Sequence, residues 1–102
     1  MKMFNPPHPG AVIADAMEEL SVGIREMARA LDVAPSTLQR LVSEQTSVSP
    51  EMAVRLSNVI GSSPEVWMRL QDSYSLYRAE QSVDVSRLTQ LHKPISLDTA
   101  SC

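Results

Sequence analysis

Only one cysteine occurs in the 102 residues, and it is the last, Cys102. A single thiol closes no intrachain disulfide, so the chain must hold its shape by burial alone, which suits a reducing compartment. Aromatic side chains are also scarce, with one Trp, two Tyr and one Phe. The core must therefore be aliphatic, with six Met residues available to fill irregular gaps between helices. No apolar run approaches the roughly 20 residues of a membrane span. The opening MKMFNPPHPG places prolines where a secretory signal needs its apolar stretch. Cations are the minority charge, nine Lys and Arg against twelve Asp and Glu, for a net charge of −3. That balance excludes broad, sequence-independent affinity for nucleic acid. It leaves room for a small basic face, because phosphate contacts depend on local charge. A soluble, cytoplasmic single domain with no membrane association is the expectation, its 43% apolar content enough for one modest core.

Chemistry is lacking too. His8 and His92 lie far apart in the chain and neither has a cysteine nearby. There is no glycine-rich phosphate loop, no Cys-x-x-Cys and no supported Ser-His-Asp pattern. Glu18-Glu19 reads as a solvated helix face rather than a catalytic pair. Neither enzyme activity nor a cofactor or metal is expected.

What the chain does have is proline punctuation. Pro9, Pro35, Pro50 and Pro64 each precede a helical pattern, and Pro suits the first turn, where a missing N–H is harmless. Ser49-Pro50-Glu51 and Ser63-Pro64-Glu65 repeat one start signal: a Ser N-cap, then Pro, then an acid in the positive first turn. Five apolar stripes of helical period follow. Ile13, Ala16, Met17 and Leu20 mark a helix over 10–20, and Ile24, Met27, Ala28 and Leu31 one over 24–31. Leu38, Leu41 and Val42 mark a short helix from Pro35 to about Ser43. Ala53, Leu56, Val59 and Ile60 mark one from Pro50 to Ile60, with Gly61 as its stop. Val66, Trp67, Leu70, Tyr74 and Tyr77 mark a longer helix from Pro64 to about Glu80. Short links between amphipathic helices predict a compact all-α domain over 10–81. An N-terminal arm (1–9) precedes it, and a C-terminal extension (82–102), partly disordered, follows.

The second and third helices, joined at Asp32-Val33, have helix-turn-helix geometry. Ala28 is small, as a close crossing requires, and Asp enters the left-handed region more readily than most residues. The stretches HPGAVIADAMEEL, IREMARALDVAPSTLQRLV and SPEMAVRLSNVIGSSPEVWMRLQDSYSL carry a resemblance over about two thirds of the chain. They resemble the HigA type of antitoxin, a branch of the Xre/Cro-like, lambda-repressor-like helix-turn-helix family. The resemblance implies a five-helix fold and a homodimer bound to a palindromic operator DNA upstream of its own operon. It also implies neutralisation of a HigB-type toxin protein, an mRNA-cutting ribonuclease.

In such a motif the third helix enters the major groove and its N-terminal residues meet base edges. The candidate DNA-binding set is Arg25, Pro35, Ser36, Thr37, Gln39 and Arg40. Arg40 takes the main base contact, since its fork matches guanine O6 and N7. Arg25, preceded by Gly23, approaches the backbone, and Arg29 the phosphate rim more weakly. The alternative is that Ser36 and Thr37 only stabilise the helix start, Arg40 is solvated, and Arg25 is a surface charge near Glu26 or Asp15. Tyr74, Leu76 and Tyr77 are the candidate dimer interface, with Trp67 and Leu70 assigned to the core. The toxin contact falls to the arm or the tail. Two departures from the family pattern stand out. Ala34 replaces the usual Ser or Thr cap, and Glu44-Gln45 replaces Gly-Lys after the third helix. Both predict weaker DNA binding than a typical relative. They leave open a toxin-covering module with little DNA affinity, or a stand-alone helix-turn-helix regulator.

Overall fold

The computed structural model describes residues 5–91. The first four residues and those from His92 onward lie outside the described residues, and with them most of the expected mobile tail. Five α-helices succeed one another: α1 Pro9–Leu20, α2 Ile24–Leu31, α3 Pro35–Val42, α4 Pro50–Val59 and α5 Pro64–Ser82. A single 3-10 turn at Val85–Arg87 follows, and there is no strand among the described residues. The all-α, five-helix architecture expected from periodicity is the one found.

Helix starts follow the proline signals. α1, α3, α4 and α5 each carry Pro in the first turn. Ser49 Oγ accepts from the Met52 N–H at 3.1 Å and Ser63 Oγ from the Val66 N–H at 3.2 Å. His8 caps α1 in the same way, its Nδ1 accepting from the Gly10 N–H at 2.8 Å. His8 and Pro9, read from the sequence as the end of the arm, are both buried and open the body of the domain.

The first three helices end by one device. Ser21, Asp32 and Glu44 have φ of 59°, 60° and 67°, and each donates its N–H to the carbonyl three residues back. The residue after each donates five back: Val22 to Met17 at 3.0 Å, Val33 to Ala28 at 3.0 Å, Gln45 to Arg40 at 2.8 Å. This paired closure satisfies carbonyls that the helix itself cannot. It usually uses glycine; here no glycine occupies any of the three positions.

The core joins Ile13, Met27, Ala28, Leu31, Leu38, Leu41, Val48, Met52, Ala53, Leu56 and Trp67. Trp67, on α5, also donates its Nε1–H to the Gly61 carbonyl at 3.0 Å, which ties α5 to the end of α4. Three expectations need correcting. Leu20 is 57% exposed, because α1 ends there and Val22 folds back onto the core in its place. Val66 lies toward solvent, one position off the inward stripe of α5. Gln71, a polar residue absent from the expected stripe, is 5% exposed. It belongs inside because its Oε1 accepts the Val48 N–H at 2.7 Å and its Nε2 donates to Ser75 Oγ at 3.0 Å.

α1 crosses α3 at Gly10. A Cβ there would overlap the Leu41 carbonyl oxygen and press the Val42 carbonyl oxygen at 3.1 Å. Backbone atoms have little room to yield, so Gly10→Ala forces the two helices apart. We expect Gly10→Ala to destabilise the domain by about 1–3 kcal/mol, read from the urea midpoint at unchanged slope. An unchanged midpoint would show that the crossing is not close-packed in solution.

Candidate nucleic-acid interface

α3 is eight residues long and buries one side, through Leu38 and Leu41. At about 100° per residue, Ser36, Gln39 and Arg40 fall on the opposite side, and all three are exposed. Thr37 is half-buried between the two sides. Ala34 precedes the helix with no side-chain cap, and its carbonyl accepts from the N–H groups of Thr37 at 3.0 Å and Leu38 at 3.2 Å. The missing cap costs about 1 kcal/mol relative to Ser or Thr.

Two shallow hollows flank this helix. One, of about 200 Å³, is lined by Thr37, Arg40 and Leu41 together with Thr46, Ser47, Ser49 and Met52. The other, of about 520 Å³, is lined by Arg25, Arg29, Asp32, Val33, Ala34 and Pro35. The candidate reading residues thus divide. Arg25 and Pro35 share one hollow, Thr37 and Arg40 share the other, and Ser36 and Gln39 line neither. Hydroxyl and guanidinium groups converge beside Arg40, a donor set suited to base edges and phosphate oxygens. Arg25, Arg29 and Arg40 are exposed and form no salt bridge among the described residues. Glu26, Asp32 and Glu44 are exposed nearby in the chain and oppose any polyanion.

Side chains of α4 and α5 hold the ends of this unit. Arg55 Nη1 donates to the carbonyls of Leu31 at 2.8 Å and Asp32 at 3.1 Å, at the entry to the turn. Gln71 accepts from Val48 in the loop that leaves α3. Sequence reasoning missed both residues. The Glu51…Arg55 spacing was a usable signal for an ion pair, found at 2.9 Å, but nothing in it pointed to the turn.

The expected dimer residues do not share one face. Tyr74 is half-buried, its ring edge-on to His8 with centroids 4.7 Å apart, and its hydroxyl accepts from Arg78 Nη1 at 2.9 Å. Tyr77 is half-buried, while Leu76 is 61% exposed and sits about 200° around the helix from Tyr74. Beyond them Val83, Val85, Leu88 and Leu91 are exposed. Among the described residues no His, Cys, Asp and Glu group is arranged to hold a metal ion, and no helix is long and apolar enough to cross a membrane.

A helix-turn-helix family model matches residues 13–67. An Escherichia coli K12 protein, the uncharacterized HTH-type transcriptional regulator YddM, is 53% identical over 91 residues, 89% of this chain and 97% of its own. The Pseudomonas aeruginosa antitoxin HigA, solved with the higBA promoter, superposes with a TM-score of 0.77 at 33% identity, covering 88% of this chain and 98% of its own. A Pseudomonas aeruginosa protein solved in complex with its 18-bp operator DNA gives 0.78 at 32% identity, covering 91% and 100%.

Glu44 takes the left-handed position where glycine would sit without strain. A non-glycine residue there costs about 1–2 kcal/mol, partly offset because glycine is freer in the unfolded chain. Glu44→Gly should therefore raise stability by about 0.5–1 kcal/mol, seen as a higher denaturant midpoint. A lower midpoint would mean that the glutamate side chain makes a compensating contact.

Proposed function

The chain belongs to the helix-turn-helix family, and from that premise we propose that it is a dimeric antitoxin and transcriptional autorepressor. It binds a palindromic operator through α3 and neutralises a HigB-type ribonuclease toxin in the cytoplasm. The observation that carries the DNA half is the outward side of α3. Ser36, Gln39 and Arg40 project from a helix whose other side is core, and Arg40 has no acid partner among the described residues. Kinship supports the same reading, since one similar structure is an antitoxin with its promoter and another holds operator DNA. Arg25 and Arg29, across the turn, serve phosphates, with Thr46 and Ser47 on the far side of Arg40.

A half-site reader needs a second copy to match a palindrome. The apolar residues of late α5 and the segment after it, Leu76, Val83, Val85, Leu88 and Leu91, supply uncovered surface for one. Tyr77 borders that surface, while Tyr74 contributes by bracing the helix against His8.

One set of observations favours a second reading, a toxin-covering module with weak DNA affinity. The helix start at Ala34 is uncapped, and Glu44 places a carboxylate at the exit of α3.

Binding to the chain's own upstream DNA separates the two. Wild-type protein should discriminate a palindrome from random DNA, and Arg40→Ala should lose about 1–3 kcal/mol of operator affinity with relaxed preference at one position. Equal binding of operator and random DNA at physiological salt would leave the toxin-covering reading. The toxin half predicts a stable complex with a HigB-type ribonuclease on size exclusion and loss of its mRNA cleavage. Uninhibited cleavage at saturating protein would remove it.

A further inference from the structure

We propose that Arg55, on α4, is a positioning residue that sets the pose of the reading helix without touching DNA. The inference rests on the DNA-reading function proposed above.

The last carbonyls of a helix have no donor within it. At the end of α2, Val33 and Asp32 donate back to Ala28 and Arg29. The next two acceptors that matter for the turn, Leu31 and Asp32, are served from outside by the single Nη1 of Arg55, at 2.8 and 3.1 Å. Its other amino group is anchored by Glu51 at 2.9 Å, and the Asp32 carboxylate stands 3.8 Å away. The guanidinium is thus spent on the protein's own backbone, at a residue held at φ 60° and ψ 46°.

The location gives this contact its effect. α3 begins three residues after Asp32, so a change in the backbone at Asp32 swings the whole helix. An eight-residue helix is about 12 Å long. A rotation of about 10° at its root would displace its far end by about 2 Å. Hydrogen bonds to base edges tolerate far less than that. The Glu51 pair, with one partner largely exposed, adds little stability of its own. Its role is to hold the fork in plane so that Nη1 reaches both carbonyls.

Arginine is required for geometry and not only for charge. Lysine at 55 keeps the positive charge but cannot span Glu51 and two carbonyls with a planar fork. A phosphate-contacting residue would tolerate that exchange as a point charge, whereas a positioning residue would not.

The test compares Arg55→Lys with wild type, using operator and random duplexes across a salt series, together with amide exchange of the free protein. Operator affinity should fall about tenfold, with random-DNA affinity within about twofold and an unchanged salt slope. Exchange at the bonded amides of Asp32, Val33, Thr37 and Leu38 should quicken about tenfold while the buried amides of α4 and α5 stay protected. An undiminished operator preference, or exchange unchanged at the turn, overturns the proposal. So does a parallel fall in both affinities, which identifies a general loss of DNA affinity and not a loss of the reading pose. If wild type itself cannot tell operator from random DNA, the DNA-reading function has failed; exchange then still reports whether Arg55 holds the turn, and the specificity role is overturned. Should Arg55→Lys unfold, Glu51→Gln loosens the fork more gently. It should shift both readouts in the same direction by a smaller factor, and no shift counts against the proposal.

Discussion

An eight-residue helix does not persist alone in water, because its few hydrogen bonds barely exceed the cost of nucleating it. α2 and α3 are both of that length. Each exists only because its surroundings hold it, and the interface can be no more exact than those holds. α3 is fixed on four sides. Leu38 and Leu41 seat it in the core, and Gly10 lets α1 meet its last carbonyls. Arg55 fixes the turn before it, and Gln71 fixes the loop after it. The longest helix, α5, works as the brace: Trp67 ties it to the end of α4, Gln71 to the exit of α3 and Tyr74 to the cap of α1.

The closures at Ser21, Asp32 and Glu44 show what this arrangement tolerates. All three need positive φ, and none is glycine. Asp tolerates the conformation best of the three, and it stands at the helix-turn-helix turn, where Arg55 also bonds its carbonyl. Glu has no such aptitude, yet it stands at the exit of α3. The two paired bonds from Glu44 and Gln45 at 3.0 and 2.8 Å hold it there. The chain thus accepts strain and a carboxylate at the edge of the interface while keeping the closure geometry itself unchanged.

Much of the fold was legible in the sequence because its signals are local. Prolines and Ser caps mark four helix starts, and α2 spans the residues its apolar spacing indicated. The Asp32 turn was legible because aspartate's backbone preference is a property of the residue alone. What was not legible depends on groups far apart in the chain. Gln71 reads as polar and hence exposed until Val48 presents an N–H 23 residues away. Arg55 has no role legible in the sequence and gains one only because the end of α2 arrives beside it. Leu20 satisfies the helical period but lies beyond the core, since periodicity gives the direction of a side chain and not whether a neighbour waits there. On α3 the period did separate Ser36, Gln39 and Arg40 from Leu38 and Leu41, so its outward side was readable even though what holds it was not.

The acidic balance that argued against broad affinity for nucleic acid takes on a different meaning around this candidate interface. Over residues 24–44 three arginines, Arg25, Arg29 and Arg40, are matched in number by three acids, Glu26, Asp32 and Glu44, so the local charge is close to neutral rather than basic. Sequence-independent attraction scales with the phosphates neutralised, and little of it is available here. For the repressor proposed above this is not purely a loss, because every non-specific site in a genome competes with an operator, and what matters is the ratio of the two affinities. A reader with weak background attraction has to gain its affinity elsewhere. Two gains are open to it: a precisely posed α3, so that each base contact is made at full strength, and a second copy, so that two half-sites are engaged together. On this reading the positional holds on α3 and the uncovered apolar surface of late α5 answer the same deficit of positive charge.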